Sequence, residues 1–194
     1  TLTVNNSHSA YTGDLLHLTT TDARDAGFDF IKADANTANQ FRVNGLGTVY
    51  AQNTTVQAAD YADMFEWADG NPDDEDRIGL SVVLDGDGCC RSALGNDPIE
   101  DIVGVVSGTA CMIGNAAWNE WEGKSVKDEF GRVKDGEVSP DYDESMEYVS
   151  RLDRKEWATV GLVGRIHIRK DSLKNPSWRK IRNVSDTTEE WLVR

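Results

Sequence analysis

The sequence of 194 residues has only three cysteines and four prolines, and no apolar run approaches the roughly 18 residues needed to cross a bilayer. Cys89, Cys90 and Cys111 are odd in number, and no histidine lies at a zinc-like spacing from them. We therefore expect free thiols rather than a disulfide framework, and no metal or other cofactor. The N-terminus also lacks the basic, apolar and small-residue pattern of a signal peptide, so we expect synthesis in a reducing cytoplasm and no membrane partner.

Basic residues are scarce as well. Twenty Lys and Arg face 34 Asp and Glu, which gives a formal net charge of -14. A chain with this balance is poorly suited to nucleic acid or to an anionic membrane surface, so neither is expected as a partner. Most of the acidic residues lie between 59 and 154, whereas residues 155–194 carry more bases than acids. The two regions either pair, within or between copies, or the acidic one is a solvated face.

Large apolar residues are sparse in the first 58 positions, where short alternating runs predict β-strands. The runs are LLHLTTT (15–21), GFDFIKA (27–33), NQFRVNG (39–45) and GTVYAQ (47–52). Pairs of apolar residues two positions apart give each strand one narrow apolar face, as with Leu16 and Leu18, Phe28 and Phe30, and Phe41 and Val43. A lone chain cannot offset its ordering entropy with so little apolar surface. Either three copies share a core around an axis, or this sheet packs on the rest of the chain.

The second part of the chain also predicts strands, after a boundary near residue 59. Three runs are bounded by Gly and Asp turns: GLSVVLDGDG (79–88), DIVGVVSG (101–108) and ATVGLVGRIHIRK (158–170). The last has its larger apolar residues on one face, namely Val160, Leu162, Ile166 and Ile168. A short helix is expected over residues 115–123, and a long loop over 122–156. The fold class is therefore mainly β, with one or two short helices.

The segment ADYADMFEWADGNPDDEDRIG (59–79) resembles the signature of the intramolecular chaperone (IMC) autoproteolytic cleavage domain. This peptidase family, of the glutamic type, lies at the C-termini of phage tailspikes and of fibre-like proteins of large DNA viruses. Later segments resemble the family in the same order, so the likeness covers about residues 56–194. Among them are DIVGVVSG, AAWNEWEGK and NPSWRKIRNVSD. The preceding FRVNGLGTVYA is similar to the short repeat that joins such domains to a shaft.

The resemblance implies an intertwined, trimeric β shaft segment at residues 1–58 and a chaperone and autoproteolytic domain at 59–194. The partners it implies are two further copies, in a homotrimer, and the upstream shaft of the same polypeptide. The protein would be made in the host cytoplasm, join a virion tail or fibre, and cut itself near residues 56–62. The alternative is an uncleaved receptor- or glycan-binding fibre tip, since the tryptophans can form either a sugar-binding surface or the core of a small β-domain.

Three carboxylates at the junction, Asp60, Asp63 and Glu66, are the catalytic candidates. On a helical turn they would lie on one face, where mutual repulsion would leave one of them protonated. One carboxylate would then activate water while another protonates the leaving nitrogen, with no Ser, Cys or His nucleophile. On a strand, Asp60 and Glu66 would share a face and Asp63 would point the other way, so that the pairing would need another chain. Relatives usually carry Glu where this chain has Asp63, and Asp is one methylene shorter.

Overall fold

The computed structural model describes residues 13–21, 25–118 and 121–194. Within these ranges the regular structure is almost entirely β, and the helical elements are three single turns of 3-10 helix, which confirms the mainly β prediction. No helix in the described part of the chain is long and apolar enough to cross a membrane. The chain divides into two compact units, the first ending at Thr55 and the second comprising Val56–Arg194.

The first unit contains a three-stranded antiparallel sheet. Its strands are β1 (Asp29–Ala35), β2 (Ala38–Asn44) and β3 (Val49–Ala51), with β2 in the centre. Asn36 and Thr37 have positive φ angles of 46° and 71°, as a two-residue turn between twisted strands requires. Residues 15–21, predicted as a strand, contain no strand in this structure.

Several apolar side chains of the first unit remain open to solvent. Leu16, Leu18, Ile31 and Val49 are exposed, and no apolar side chain in the described part of this unit is fully buried. The four side chains Phe28, Phe30, Phe41 and Val43 are half-buried within one copy. A single copy therefore leaves part of its apolar surface in water, where it contributes little to stability.

The second unit contains the larger sheet and a separate two-stranded sheet. Its strands are β4 (Asp60–Glu66), β5 (Ser81–Leu84), β6 (Cys90–Ser92), β7 (Ile102–Val106), β8 (Ala110–Gly114), β9 (Ser125–Lys127), β10 (Val133–Val138), β11 (Trp157–Arg169), β12 (Arg179–Asn183) and β13 (Thr188–Val193). The larger sheet has the order β12-β13-β11-β7-β5-β6, and β4 pairs with both β11 and β8. A bridge between Trp67 and Cys90 joins the end of β4 to β6, which closes a ring of five strands around part of the core.

Strand β11 is the longest strand of the described residues and contributes side chains to both clusters of the core. Val160, Ile166 and Ile168 are buried and Leu162 is half-buried, which confirms the predicted apolar face. Ile166 and Ile168 pack with Trp178, while Val160 packs with Trp67. Each such side chain contributes roughly 1.5 to 3 kcal/mol when it is fully buried.

The structure differs from the sequence prediction between residues 115 and 156. The helix expected over 115–123 is wrong for the described residues: 115–118 are irregular, and only one 3-10 turn follows, at Glu122–Lys124. Asn115 and Ala117 have positive φ angles of 53° and 42°, which a right-handed helix cannot accommodate. The predicted loop contains the hairpin of β9 and β10, which turns through Gly131 at φ 78°.

The acidic loop at residues 69–77 is held by contacts within the chain. Arg77 lies 4.6 Å above the Trp67 ring and pairs with Asp69 at 2.7 Å and Glu75 at 2.9 Å. The Arg77 guanidinium holds the pKa of Asp69 at about 2. Arg169, from the basic end of the chain, donates to the carbonyl oxygen of Asp76 at 2.7 Å. The acidic and basic regions therefore meet within one copy at this loop.

A candidate cleavage site on strand β4

The three candidate carboxylates lie on β4, which runs between β11 on one side and β8 on the other. The pairing with β11 is antiparallel and places Asp60 opposite Gly164 and Asp63 opposite Val160. Because successive side chains of a strand point to opposite faces, Asp60 and Asp63 lie on opposite sides of the sheet. The helical alternative is therefore wrong, and the strand alternative describes the molecule.

Asp60 is buried in the core-facing side of β4. Its side chain is 1% exposed, and neither carboxyl oxygen has a hydrogen-bond partner among the described residues. A Cβ atom at Gly161 would lie 2.8 Å from Asp60 Oδ2, and one at Gly164 would lie 2.7 Å from Asp60 Cα. Two glycines of β11 thus leave the space that this carboxyl occupies.

Burial raises the pKa of Asp60, because an ionised carboxylate loses its hydration there. The nearby hydroxyl of Ser107 opposes this rise but stays outside hydrogen-bonding geometry. The burial of Asp60 thus favours its protonated form, which is the form that a general acid requires.

Asp63 is half-buried on the opposite, outer face of the strand. Its Oδ1 accepts a hydrogen bond from the amide of Met64 at 2.9 Å. The carboxylate lies over Gly114 of β8, where an added Cβ would come within 3.2 Å of Oδ1. This carboxylate borders solvent, so it can meet a group that arrives from outside the chain.

Glu66 lies at the far end of β4, exposed and opposite Trp157. Six residues of extended strand separate it from Asp60, a distance of about 20 Å. The structure therefore does not bring the three carboxylates of one copy together.

Ser107, Gly161 and Gly164 contribute to the site, although the sequence had not assigned them to it. A pair of glycines inside an otherwise apolar strand is a usable signal, since it often marks a close approach by another group. No cluster of three or more His, Cys, Asp or Glu side chains within residues 13–21, 25–118 and 121–194 is arranged to hold a metal ion.

Comparison with known proteins identifies the family. The profile of Peptidase_G2, the IMC autoproteolytic cleavage domain, matches residues 14–139 and 133–190. The chain belongs to this family. The resemblance inferred from residues 59–79 and the later segments is thus confirmed.

Curated relatives of this IMC domain chain include phage appendage proteins. The pre-neck appendage protein of Bacillus phage phi29 is 34% identical over 158 residues, which cover 75% of this chain and 17% of the relative. That of Bacillus phage B103 is 34% identical over 142 residues, or 64% of this chain and 16% of the relative. The phage-related protein YobO of Bacillus subtilis is 31% identical over 69% of this chain and 18% of its own length. The chain therefore spans less than a fifth of the relatives it matches.

Two solved structures share the fold of the IMC domain chain. The pre-mature gene product 12 of bacteriophage phi29 superposes with a TM-score of 0.66 at 22% identity, over 81% of this chain and 25% of that one. The C-terminal fragment of the same gene product superposes with a TM-score of 0.51 at 25% identity, over 70% of this chain and all of the fragment.

Proposed function

We propose that the second unit is an intramolecular chaperone that brings three copies of a virion tail appendage into register and then cuts its own chain near residues 56–62. Membership of the IMC autoproteolytic cleavage family supports self-cleavage. The similarity to phage appendage proteins supports a place in a virion tail appendage. The observation that carries the chemistry is Asp60, a buried carboxyl near the start of the second unit that has no hydrogen-bond partner among the described residues.

The exposed apolar faces of the first unit support the homotrimer. Leu16, Leu18 and Val49 are exposed in a single copy, and two further copies would bury this surface. The upstream shaft of the same polypeptide is then the structure that the chaperone assembles. In a closed ring of three copies the same interface repeats, so a junction that contacts the next copy does so in all three.

The two faces of β4 suggest how the carboxylates divide the work. Asp60 lies beneath its own backbone as a neutral acid, positioned to protonate the leaving nitrogen of a bond in its own junction. Asp63 of a neighbouring copy would approach that bond from solvent and take the proton of the attacking water. Glu66 is too far from both in one copy to join them, and it would take part only across copies. Cutting would then wait for assembly.

Mass spectrometry of the expressed chain tests this proposal. The full chain is expressed, denatured by boiling and measured for its intact mass, and we expect a new N-terminus within residues 56–62. Asp60→Asn and Asp63→Asn should each leave the chain whole. An intact mass after complete trimerisation would rule out the protease function.

A deletion of residues 61–194 separates a chaperone from a fibre tip that only binds a receptor or glycan. Loss of a chaperone should leave shaft chains monomeric or aggregated on sizing chromatography. Shaft chains that still form trimers without the second unit would contradict the chaperone role.

A further inference from the structure

The outer face of β4 carries a second functional group beside Asp63. Tyr61 is on the same face, two residues earlier in the strand, and its hydroxyl also lies over Gly114. A Cβ atom at Gly114 would lie 2.7 Å from Tyr61 Oη and 3.2 Å from Asp63 Oδ1. The missing side chain of Gly114 thus leaves one space that a phenol hydroxyl and a carboxylate both border.

The surface around this space is apolar and open. Tyr61 is opposite Val163 of β11 on one side and Met112 of β8 on the other. The three side chains are 39%, 54% and 62% exposed in this order, so they form an uncovered row across three strands. Residues 52–59 of the chain carry no charge, so this segment of another copy can lie on the row without burying a charged group.

We propose that Tyr61 is a catalytic residue that donates a hydrogen bond to the carbonyl oxygen of the scissile bond of a neighbouring copy. This role rests on the proposed self-cleavage. The Tyr61 hydroxyl and the Asp63 carboxylate approach one space from the same face, which is the arrangement needed to hold a carbonyl and a water together.

Hydrolysis of the scissile bond needs only water and the side chains of Asp63, Tyr61 and Asp60. The water oxygen bonds to the carbonyl carbon while Asp63 takes one proton from the water, and negative charge develops on the carbonyl oxygen. The Tyr61 hydroxyl stabilises that charge as a hydrogen-bond donor and keeps its own proton. The carbon–nitrogen bond then breaks and the leaving nitrogen takes a proton from the protonated Asp60 below it, while Asp63 releases to solvent the proton that it took from the water. The products are a new carboxyl terminus and a new amino terminus.

The rate of self-cleavage in variants of the full chain tests this role. Tyr61→Phe removes only the hydroxyl, and the loss of one oxyanion donor lowers a rate by about a hundredfold or more. Assembled chains are isolated first, and the first-order appearance of the new N-terminus is then followed by intact mass. A merely structural role would reduce the yield of assembled chains and leave the rate within them unchanged.

Gly114→Ala tests the same geometry with the hydroxyl present. The new methyl group would displace Tyr61 Oη from its place beside Asp63, so the cleavage rate should again fall, by about tenfold or more. Combined with Tyr61→Phe, it should slow cleavage by less than the product of the two single effects, because the two changes share the loss of the Tyr61 interaction while Gly114→Ala also crowds Asp63 Oδ1. Tyr142→Phe is the matched control for the hydroxyl, since the ring contact of Tyr142 with Lys124 survives this change. Gly95→Ala is the control for the glycine, since a methyl group there meets open space.

The outcomes separate this role from the proposed function. If the wild-type chain is cut and Tyr61→Phe is cut at the same rate, the role of Tyr61 is overturned and the proposed function stands. If the wild-type chain is never cut, the cleavage reaction fails and the role of Tyr61 fails with it. The proposal is supported if Tyr61→Phe and Gly114→Ala are both cut more slowly than the wild-type chain while Tyr142→Phe and Gly95→Ala are cut at the wild-type rate.

Discussion

The buried carboxyl of Asp60 predicts that removing its charge stabilises the folded chain at neutral pH. Asn has nearly the same shape as Asp and cannot ionise. Since burial raises the pKa of Asp60 in the folded state, the folded chain binds this proton more tightly than the unfolded chain does. The resulting stability is fully present below about pH 4, the ordinary range of an aspartate in an unfolded chain, and is lost as the pH rises through the folded pKa.

The expected magnitude follows from the lack of a partner. Neither oxygen of Asp60 has a hydrogen-bond partner among the described residues, and a buried polar group in that state costs about 1 to 3 kcal/mol, more when it is charged. An Asn side chain would also lack a partner there, so the difference comes only from the ionised form that Asn cannot adopt, and Asp60→Asn should raise the free energy of unfolding by about 1 to 3 kcal/mol at pH 7. The difference should shrink toward zero near pH 4, where the wild-type carboxyl is already neutral.

Urea unfolding followed by tryptophan fluorescence measures this difference. All six tryptophans lie in the second unit, so the signal reports on the unit that contains Asp60. Both chains carry Asp63→Asn, so that neither is expected to be cut, and they are compared at one protein concentration. Glu66→Gln is the matched control on an exposed position of the same strand and should change the free energy of unfolding by less than about 0.5 kcal/mol. A loss of stability in Asp60→Asn that is equal at pH 4 and pH 7 would mean that the carboxylate has a stabilising partner, and would refute the reasoning.

Two further predictions concern the neighbours of Asp60. Gly164→Ala should destabilise the second unit by about 3 kcal/mol or more, because Gly164 has a φ of 123° and a Cβ there would lie 2.3 Å from the carbonyl oxygen of Ala59. Urea unfolding of Gly164→Ala and of the control Gly95→Ala checks this. Equal free energies of unfolding would show that the backbone relaxes around the new methyl group. Asp63→Glu restores the side-chain length usual in relatives and should speed self-cleavage by about tenfold to a hundredfold, since a misplacement of about 1 Å can cost that much. A time course of intact mass measures the cleavage rate. An unchanged or slower reaction would contradict the view that the Asp63 side chain is too short.

The strands of the second unit were largely predictable, because their pattern is local. Alternating apolar residues between Gly and Asp turns correctly predicted β5, β7 and β11. Once a strand is chosen, a side-chain period of two also determines which carboxylates share a face. The choice between helix and strand for residues 60–67 was not local. It depends on pairing with β11, which lies far along the sequence and leaves no mark in the segment itself.

The burial of Asp60 and the irregular path of residues 115–118 could not be predicted for a related reason. An aspartate next to a tyrosine is usually exposed, and only the two glycines of β11 make room for it in the core. The side-chain amide of Asn115 donates to the carbonyl oxygen of Met64 at 3.0 Å, and Arg151 donates to the backbone carbonyl oxygen of Asn115 at 2.8 Å. These distant partners determine the backbone there.

The pairing of β4 with β11 sets a timing for the chain as it is synthesised. Asp60 can reach its place opposite Gly164 only after about a hundred further residues have been made. At roughly 5 to 20 residues per second, this takes about 5 to 20 s. The junction strand can pair with β8 earlier, but it lacks its β11 neighbour until then, and a truncated product that ends before β11 cannot assemble the site. Self-cleavage would thereby be confined to chains translated beyond β11, which protects a shorter product from being cut.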